Sequence, residues 1–398
     1  MLLSCCTSPR RAMRSQPFPL RGLVTLLILA GLPFLFFWRL FAFNPADKLF
    51  IPEGDFSSQY YPLRAYAAAA MARGHVPLWN PYIFGGQPGL SDIQMGAFYP
   101  LTLLWSLVSG GVLTLSQLQV QTVAHMSIVA VGTLLFVSRL TKARVAGITA
   151  ALAFTFSGYL TSFPIQQVTI LATVSWLPWL LLCMDNIAEA WGGLGREVAS
   201  LAIVFGLCLL GGHPQTAMFV TYCLVAYGVW RLHAAPARRR AKLLCAAGGL
   251  VLGCGLAACQ LLPTLEFIRH STRAAFGYDE VSRGFGLHEV AAVLYPGYFG
   301  GSPQYVGIVT LVLALLAVVL VPWQRIAFWA ALALVGLVLS FGGNTALYPL
   351  LYVLLPGFAT SRNQERAILY FAFGAAVLAG FGVAWLRRGR SGTSGPIP

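Results

Sequence analysis

The sequence predicts an all-α integral membrane protein, a polytopic helical bundle of about ten spans. Hydrophobic residues make up 58% of its 398 positions, charged residues only 10%, and the mean hydropathy is +0.73. A soluble domain carries about a quarter charged residues, and one core could not hide this much apolar surface. Long apolar stretches alternate with short polar segments, and a helix that crosses a membrane needs roughly 20 apolar residues.

The apolar stretches set the predicted spans. The first stretch, from Leu23 to Phe43, is too long for a signal peptide and lacks a small-residue cleavage site, so we predict an uncleaved first span. The segment 97–113 is apolar but short and is interrupted by two glycines, which predicts a re-entrant or interfacial segment. The spans are predicted near 22–43, 118–138, 145–163, 168–184, 198–212, 215–231, 243–262, 304–321, 326–341 and 367–386.

The distribution of lysine and arginine predicts the orientation, because cytoplasmic loops carry an excess of both. With the N-terminus inside, the inner loops and the two tails (1–21 and 387–398) hold 17 of the 26 basic residues. They hold only three of the 12 acidic residues, Asp185, Glu189 and Glu197. We therefore predict both termini in the cytoplasm, and the net charge of +14 follows from topology rather than from nucleic-acid binding.

Three long segments of the predicted transmembrane domain (22–386) face outward: 44–117, 263–303 and 342–366. They are rich in aromatic residues, proline and acids, whereas the inner loops are short and basic and contain no Walker A motif. The eight cysteines lie in the N-terminal tail or in apolar segments, so neither a disulfide framework nor a zinc site is expected. Any chemistry is therefore predicted on the outer face.

The first outer segment begins with three acids, which include Glu53 and Asp55, directly after the first span. A helix is predicted over 57–73, ended by Gly74. Asp55 would then lie just before this helix, where it or Ser57 can cap the N-terminus. Alternatively, Asp55 is functional, because a carboxylate here can act as a general base toward a hydroxyl group or help to bind a divalent ion.

Polar residues near Asp55 in the sequence are candidates for substrate binding. Glu53 precedes it by two positions and Gln59 follows it by four. Asp92, in GLSDIQMG, is a further acid of the same segment. It is either a partner of Asp55 or a turn residue, and both interpretations stay open.

The loop 77–88, PLWNPYIFGGQP, cannot be a regular helix because it contains three prolines. Trp79 and Tyr82 offer flat faces that suit stacking on a sugar ring or the headgroup belt of a membrane, where aromatic residues are common. Asn80 lies between them. We include these three residues among the candidates for substrate binding.

One histidine and two arginines complete the candidates. His213, in GGHPQTA, lies at an outer junction of two predicted spans, where polar residues face a cavity or the interior; the alternative is a tight turn. Arg362 and Arg366, in SRNQERA, lie outside against the positive-inside tendency. A guanidinium binds phosphate with paired hydrogen bonds, whereas a surface ion pair with Glu365 would contribute little.

Motifs of several enzyme classes are not found in the sequence. It contains no GxSxG elbow, no HExxH zinc motif and no GxGxxG after a strand. This disfavours serine hydrolases, zinc peptidases and dinucleotide-dependent enzymes. No metal site or cofactor is assigned, and a divalent cation bound through Asp55 remains the one alternative.

Several of these stretches resemble the YfhO-type family of bacterial membrane proteins, over residues 23–386. That family is counted among glycosyltransferases of the GT-C fold, which use a polyprenyl-phosphate-linked sugar outside the membrane. The resemblance implies a GT-C-like bundle whose long first outer loop carries interfacial helices and an early catalytic aspartate, Asp55 here. It also implies a donor pocket formed partly by the later outer loops. The stretches are, in order, GDFSSQYYP, GHVPLWNPYIFGGQPGLSDIQMGAFYPL, FSGYL, SWLPWLLL and GGHPQTA.

These observations lead to the hypothesis of a multi-pass glycosyltransferase in the bacterial inner membrane. The donor would be a sugar on a polyprenyl phosphate, and the acceptor an envelope glycan, lipid or protein. Asp55 would deprotonate the acceptor hydroxyl, and Arg362 or Arg366 would hold the donor phosphate. Two alternatives stay open: a transporter or flippase of lipid-linked sugars, and a non-catalytic membrane scaffold.

Overall fold

A computed structural model describes residues 20–190, 194–234, 237–297 and 302–390. Most of the two predicted cytoplasmic tails therefore lies outside the described residues, namely 1–19 with Cys5 and Cys6, and 391–398. The predicted all-α class is confirmed: the described residues form helices and one minimal hairpin. In that hairpin, β1 (Trp79–Asn80) pairs antiparallel with β2 (Gln87–Pro88).

Seventeen α-helices follow one another along the described part of the chain. They are α1 (Leu20–Phe36), α2 (Tyr61–Ala72), α3 (Pro100–Val108), α4 (Leu115–Thr141), α5 (Arg144–Thr155), α6 (Gly158–Thr161), α7 (Phe163–Gln166), α8 (Val168–Val174), α9 (Leu177–Glu189), α10 (Gly195–Leu210), α11 (Pro214–Ala234), α12 (Arg239–Arg269), α13 (Tyr278–Val281), α14 (Ile308–Leu320), α15 (Trp323–Ser340), α16 (Leu347–Leu354) and α17 (Ile368–Arg390).

Five helical stretches of the described chain are long and apolar enough to cross a membrane, judged by length and composition. Two shorter apolar helices, Gly22–Phe36 and Ile308–Leu320, accompany them. The remaining crossings of the predicted ten stay a prediction, as do their orientation and the cytoplasmic position of both termini. The five stretches are Leu115–Thr141, Val168–Glu189, Arg239–Arg269, Trp323–Ser340 and Gln364–Arg388.

The predicted span 145–163 is wrong at its C-terminal boundary, because α5 ends at Thr155. Tertiary contact explains the early end. The Gly158 amide donates to the carbonyl of Tyr305 at 2.7 Å, and a Cβ at Gly158 would collide with the carbonyl of Ser302. The chain therefore leaves the helix to pack on a backbone segment about 145 residues away in the sequence.

The C-terminal helix α17 lies at the centre of the bundle, against α5, α14 and α15. Its glycines allow the neighbouring backbones to come close: a Cβ on Gly374 would lie 2.9 Å from the Trp329 carbonyl, and one on Gly380 would lie 3.0 Å from the Ala146 carbonyl. Small residues at helix contacts are how membrane helices gain packing energy, since lipid provides no hydrophobic drive between them. This packing fixes the position at which α17 begins. Arg366 lies two residues before that point, so its position is fixed as well.

The first outer segment confirms the predicted helix over 57–73 with one change. A π-helical turn, Phe56–Tyr60, precedes α2, and the chain leaves the helix at Gly74 with φ of +78°. The apolar segment 97–113 contains α3, whose nine residues are too few to cross a membrane. Whether α3 is re-entrant or interfacial stays a prediction.

An ion-pair cluster joins α4, α9 and α11 at the end of α11 that is opposite to His213. Asp185 accepts hydrogen bonds from Arg231 at 2.5 Å and from the Tyr227 hydroxyl at 2.7 Å. Glu189 pairs with Arg139 at 2.8 Å and with Arg231 at 3.1 Å. The Asp185 side chain is 1% exposed and that of Glu189 is 45% exposed, so the two carboxylates contribute differently to stability.

We predict that Asp185→Asn lowers the free energy of unfolding by about 3 kcal/mol, because it leaves charged arginines without their buried partner. Glu189→Gln, at an exposed position of the same cluster, should cost less than about 1 kcal/mol. Unfolding of both variants by SDS in mixed micelles measures the difference. Equal shifts for the two variants would contradict a buried ion pair at Asp185.

Candidate functional site

A polar pocket with a cavity volume of about 300 Å³ opens where the predicted outer segments meet. We call it the main pocket. It is formed by the first outer segment, the turn before α8, the junction of α10 with α11, the end of α12 and the loop before α17. Its lining residues are Asp55, Gln59, Tyr60, Gln94, Gln167, His213, Pro214, Gln215, Ile268, Thr360, Ser361, Arg362, Asn363 and Arg366.

Asp55 lies at the start of the π-helical turn, with its carboxylate in the main pocket. The interpretation of Asp55 as a helix cap is wrong, because its side chain makes no capping hydrogen bond. The hydroxyl groups of Ser57 and Ser58 donate to the Gly54 carbonyl instead. Asp55 accepts a hydrogen bond from the Gln167 amide nitrogen at 3.1 Å, so it is oriented by a residue 112 positions away.

Tyr60 and Arg64 lie beneath Asp55, one and two helical turns further on. Tyr60 is 2% exposed, and its hydroxyl oxygen is 3.2 Å from the Thr169 hydroxyl. Burial raises the pKa of Tyr60, so its hydroxyl stays protonated at neutral pH. Arg64 is fully buried and donates to Thr102 at 3.2 Å; burial lowers its pKa to about 10, which still leaves it charged. A fixed positive charge therefore lies below the pocket.

Arg366 is held between two carboxamides, and one of them, Gln167, is also the partner of Asp55. It donates to the Gln215 amide oxygen at 2.8 Å and to the Gln167 amide oxygen at 3.4 Å. The Gln215 amide nitrogen donates in turn to the carbonyl of Asn363 at 3.3 Å. The guanidinium is thus hydrogen-bonded by neutral partners, and the acid that acts on it electrostatically is its neighbour in the chain, Glu365.

Arg362 lies on the rim of the same pocket. Its nearest acid is Glu280, at 3.8 Å, rather than Glu365, and its guanidinium also lies 5.9 Å from the ring centre of Phe276. Asn363, with a left-handed φ of +64°, turns the chain sharply between the two arginines. Both arginine side chains consequently line one cavity.

Both interpretations of the sequence around His213, a residue that faces a cavity and a tight turn, agree with the structure. Gly212 has a φ of +95° and makes the tight turn, while His213 is 7% exposed and lines the main pocket. Its Nδ1 accepts the backbone N–H of Thr216 at 3.1 Å and lies 2.8 Å from the Thr216 hydroxyl. The imidazole therefore caps the start of α11 and carries its ring hydrogen on Nε2 when neutral.

Five sequence candidates do not line the main pocket: Glu53, Trp79, Asn80, Tyr82 and Asp92. Asp92 caps the short helical turn 93–95 by accepting the Gln94 backbone N–H, which confirms its interpretation as a turn residue. It also lines a second cavity of about 150 Å³ that shares Gln94 with the main pocket. Glu53 is exposed, two residues before Asp55 in the chain.

The loop 77–88 forms an exposed surface that is separate from the main pocket. Asn80 is 2% exposed and accepts the Tyr82 backbone N–H, whereas Tyr82 itself is 82% exposed. The Trp79 carbonyl accepts from the Tyr66 hydroxyl, which fixes the hairpin on α2. The choice between sugar stacking and a headgroup belt for Trp79 and Tyr82 stays open.

An apolar groove of about 360 Å³ adjoins the main pocket, between α11 and α12. The two spaces share Pro214 and Ile268, so the groove begins where the polar lining ends. Leu265, on its outer edge, is 55% exposed and lies on a helix whose apolar stretch is only 28% buried. The remaining residues of the groove include Ile93, Leu209, Ala217, Met218, Thr221, Tyr222, Leu261 and Thr264.

Nine of the 14 lining residues were not among the candidates from the sequence, and four of these nine carry carboxamides: Gln94, Gln167, Gln215 and Asn363. Among the described residues, no group of three or more His, Cys, Asp or Glu side chains is placed to hold a metal ion. The chain matches no protein-family model, and no curated protein or solved structure is significantly similar to it. The site is therefore interpreted from its own chemistry.

We predict that Arg366→Met weakens binding of geranyl phosphate, a lipid phosphate without sugar, by about tenfold to a hundredfold. The loss corresponds to charge-assisted hydrogen bonds worth roughly 1.5–3 kcal/mol. Arg283→Met is the matched control, since Arg283 is a nearby arginine that pairs with Glu280 and does not line the pocket. Calorimetric titration in detergent measures both; an equal loss in both variants would mean that only net charge matters.

Proposed function

We propose that this protein is a membrane glycosyltransferase that transfers a sugar from a polyprenyl-phosphate donor to a cell-envelope acceptor. One observation carries the proposal: a single pocket holds the Asp55 carboxylate and the Arg366 guanidinium and continues into an apolar groove. Such a transfer requires three parts: a base, a site for the phosphate anion, and an adjoining apolar groove for the lipid chain.

In the proposed reaction, Asp55 takes the proton from the acceptor hydroxyl while that oxygen attacks the anomeric carbon of the donor sugar. The bond between the anomeric carbon and the phosphate oxygen breaks, and its electron pair leaves with the polyprenyl phosphate. Arg366 and Arg362 stabilise the charge that develops on that leaving group.

The number of acids in the pocket favours inversion at the anomeric carbon. Asp55 is the one acidic side chain among the described lining residues. Retaining glycosidases need a second carboxylate about 5–5.5 Å away to form a covalent intermediate. A single displacement needs only one base, which this pocket contains.

The carboxamides of the pocket suit the sugar. Gln59, Gln94 and Gln215 each present an amide that both donates and accepts hydrogen bonds, as sugar hydroxyls require. The side chains of Gln59 and Gln94 already bond to each other, so this pair is preformed. The hydrocarbon chain of the donor would follow the groove between α11 and α12, whose outer edge is exposed at Leu265.

Several finer parts of the proposal rest on the sequence alone. They are the membership of the YfhO-type family, the GT-C-like arrangement of about ten spans, and a bacterial inner membrane with both termini in the cytoplasm. The polar end of the bundle would then face outward, where lipid-linked sugars are used. A flippase for the same lipids would need a similar pocket and groove but would make no new glycosidic bond.

We expect Asp55→Asn to reduce sugar transfer by about 10² to 10⁴-fold, the usual contribution of a general base, with donor binding retained. Asp92→Asn is the control, since Asp92 lies in the neighbouring cavity and caps a turn. Transfer of radiolabelled sugar from polyprenyl-phosphate donors to an envelope fraction in proteoliposomes measures the effect. Movement of the donor lipid without bond formation, unaffected by Asp55→Asn, would favour the flippase.

For the groove, we expect Leu265→Trp to weaken binding of undecaprenyl phosphate about tenfold, equivalent to roughly two buried CH₂ groups. Geranyl phosphate, with its short chain, should bind almost as well as before. Leu315→Trp is the matched control, because Leu315 is a comparably exposed leucine that lines another apolar groove, beside α14. If Leu265→Trp changes the affinities for the long-chain and short-chain phosphates equally, the lipid chain does not lie in this groove.

A further inference from the structure

Among the described residues, Gln167 is the one side chain with hydrogen bonds to both charged groups of the proposed reaction. Its amide nitrogen donates to Asp55 Oδ2 at 3.1 Å, and its amide oxygen accepts from Arg366 Nη2 at 3.4 Å. The chemistry of the partners fixes which end of the amide is which. A carboxylate only accepts and a guanidinium only donates, so the amide cannot be flipped without losing both contacts.

The backbone that carries Gln167 is firmly held. The residue lies between α7 and α8, and its carbonyl accepts the Ile170 backbone N–H at 2.9 Å, which starts α8. All seven residues of α8 are buried. A side chain supported by a buried helix keeps its position more accurately than one on a free loop.

Arg366 is held from two sides by this arrangement. Gln215 binds Nη1 and Gln167 binds Nη2, which fixes the plane of the guanidinium. A guanidinium has five N–H donors, and the hydrogen bonds described here use two of them. The other donors can bind an anion without displacing either carboxamide.

We propose that Gln167 is a positioning residue that couples the Asp55 carboxylate to the Arg366 guanidinium, so that the donor phosphate site and the base act as one unit. The inference deepens the proposed function and rests on it for the roles of base and phosphate site. The coupling itself is a property of binding and does not need transfer to be observed. Gln167 orients the base and the cation and does not itself react.

The first test uses Gln167→Leu, which keeps most of the side-chain volume and removes both hydrogen bonds. We expect kcat for transfer to fall about tenfold to a hundredfold, the loss of a hydrogen bond to a charged group. KM for the acceptor should change less than kcat, because the substrate still binds while the base and the cation lose the residue that orients them.

Gln166→Leu is the matched control for this test. Gln166 is the preceding glutamine, is similarly half-buried and does not line the main pocket. It should leave kcat and KM unchanged, and both variants should have similar melting temperatures. A loss in Gln167→Leu that appears in KM with kcat unchanged would overturn the positioning role.

The second test measures coupling through geranyl-phosphate affinity and is independent of transfer. In a double-mutant cycle, the factor by which Asp55→Ala changes the affinity is measured in the wild-type protein and again in Gln167→Leu. The two factors should differ by at least about threefold. Additive effects would overturn the coupling, whatever the enzyme does. Non-additive effects together with absent sugar transfer would retain the coupling and overturn the glycosyltransferase proposal instead.

Discussion

The close packing of α17 against three other helices is the constraint on which the site depends. Glycines at 374 and 380 bring the backbones of α15 and α5 within reach of α17, and the helix is held at the centre of the bundle. Arg366 precedes this helix by two residues, so the position of its guanidinium is set by packing far below the pocket. A rigid apolar core thus supplies the accuracy that the polar residues at its end require.

The sequence was informative where a residue is unusual for an apolar chain. Asp55, His213 and Arg366 could be selected because ionisable groups are rare in such segments, and all three line the main pocket. Gln167 was not assigned to the site, because a tight turn explains its place in the sequence equally well and its partners lie 112 and 199 positions away. Composition and hydropathy predict helices; they do not predict which helix ends meet.

The two predictions that the structure contradicts fail for the same physical reason. The capping interpretation of Asp55 follows from local rules, and a π-helical turn together with the contact to Gln167 overrides them. The boundary predicted after α5 fails because Gly158 packs against a distant backbone segment. In both cases a long-range contact outweighs a local preference worth roughly 1 kcal/mol.

The residues of the main pocket come from distant parts of the sequence, and this determines the order in which they are synthesised. Asp55 and Gln167 are synthesised well before Arg366, which follows Gln167 by 199 residues. A nascent chain therefore carries the carboxylate and its amide partner well before the cation exists. The pocket is completed only when α17 has packed, so a chain that stalls before α17 has no complete pocket.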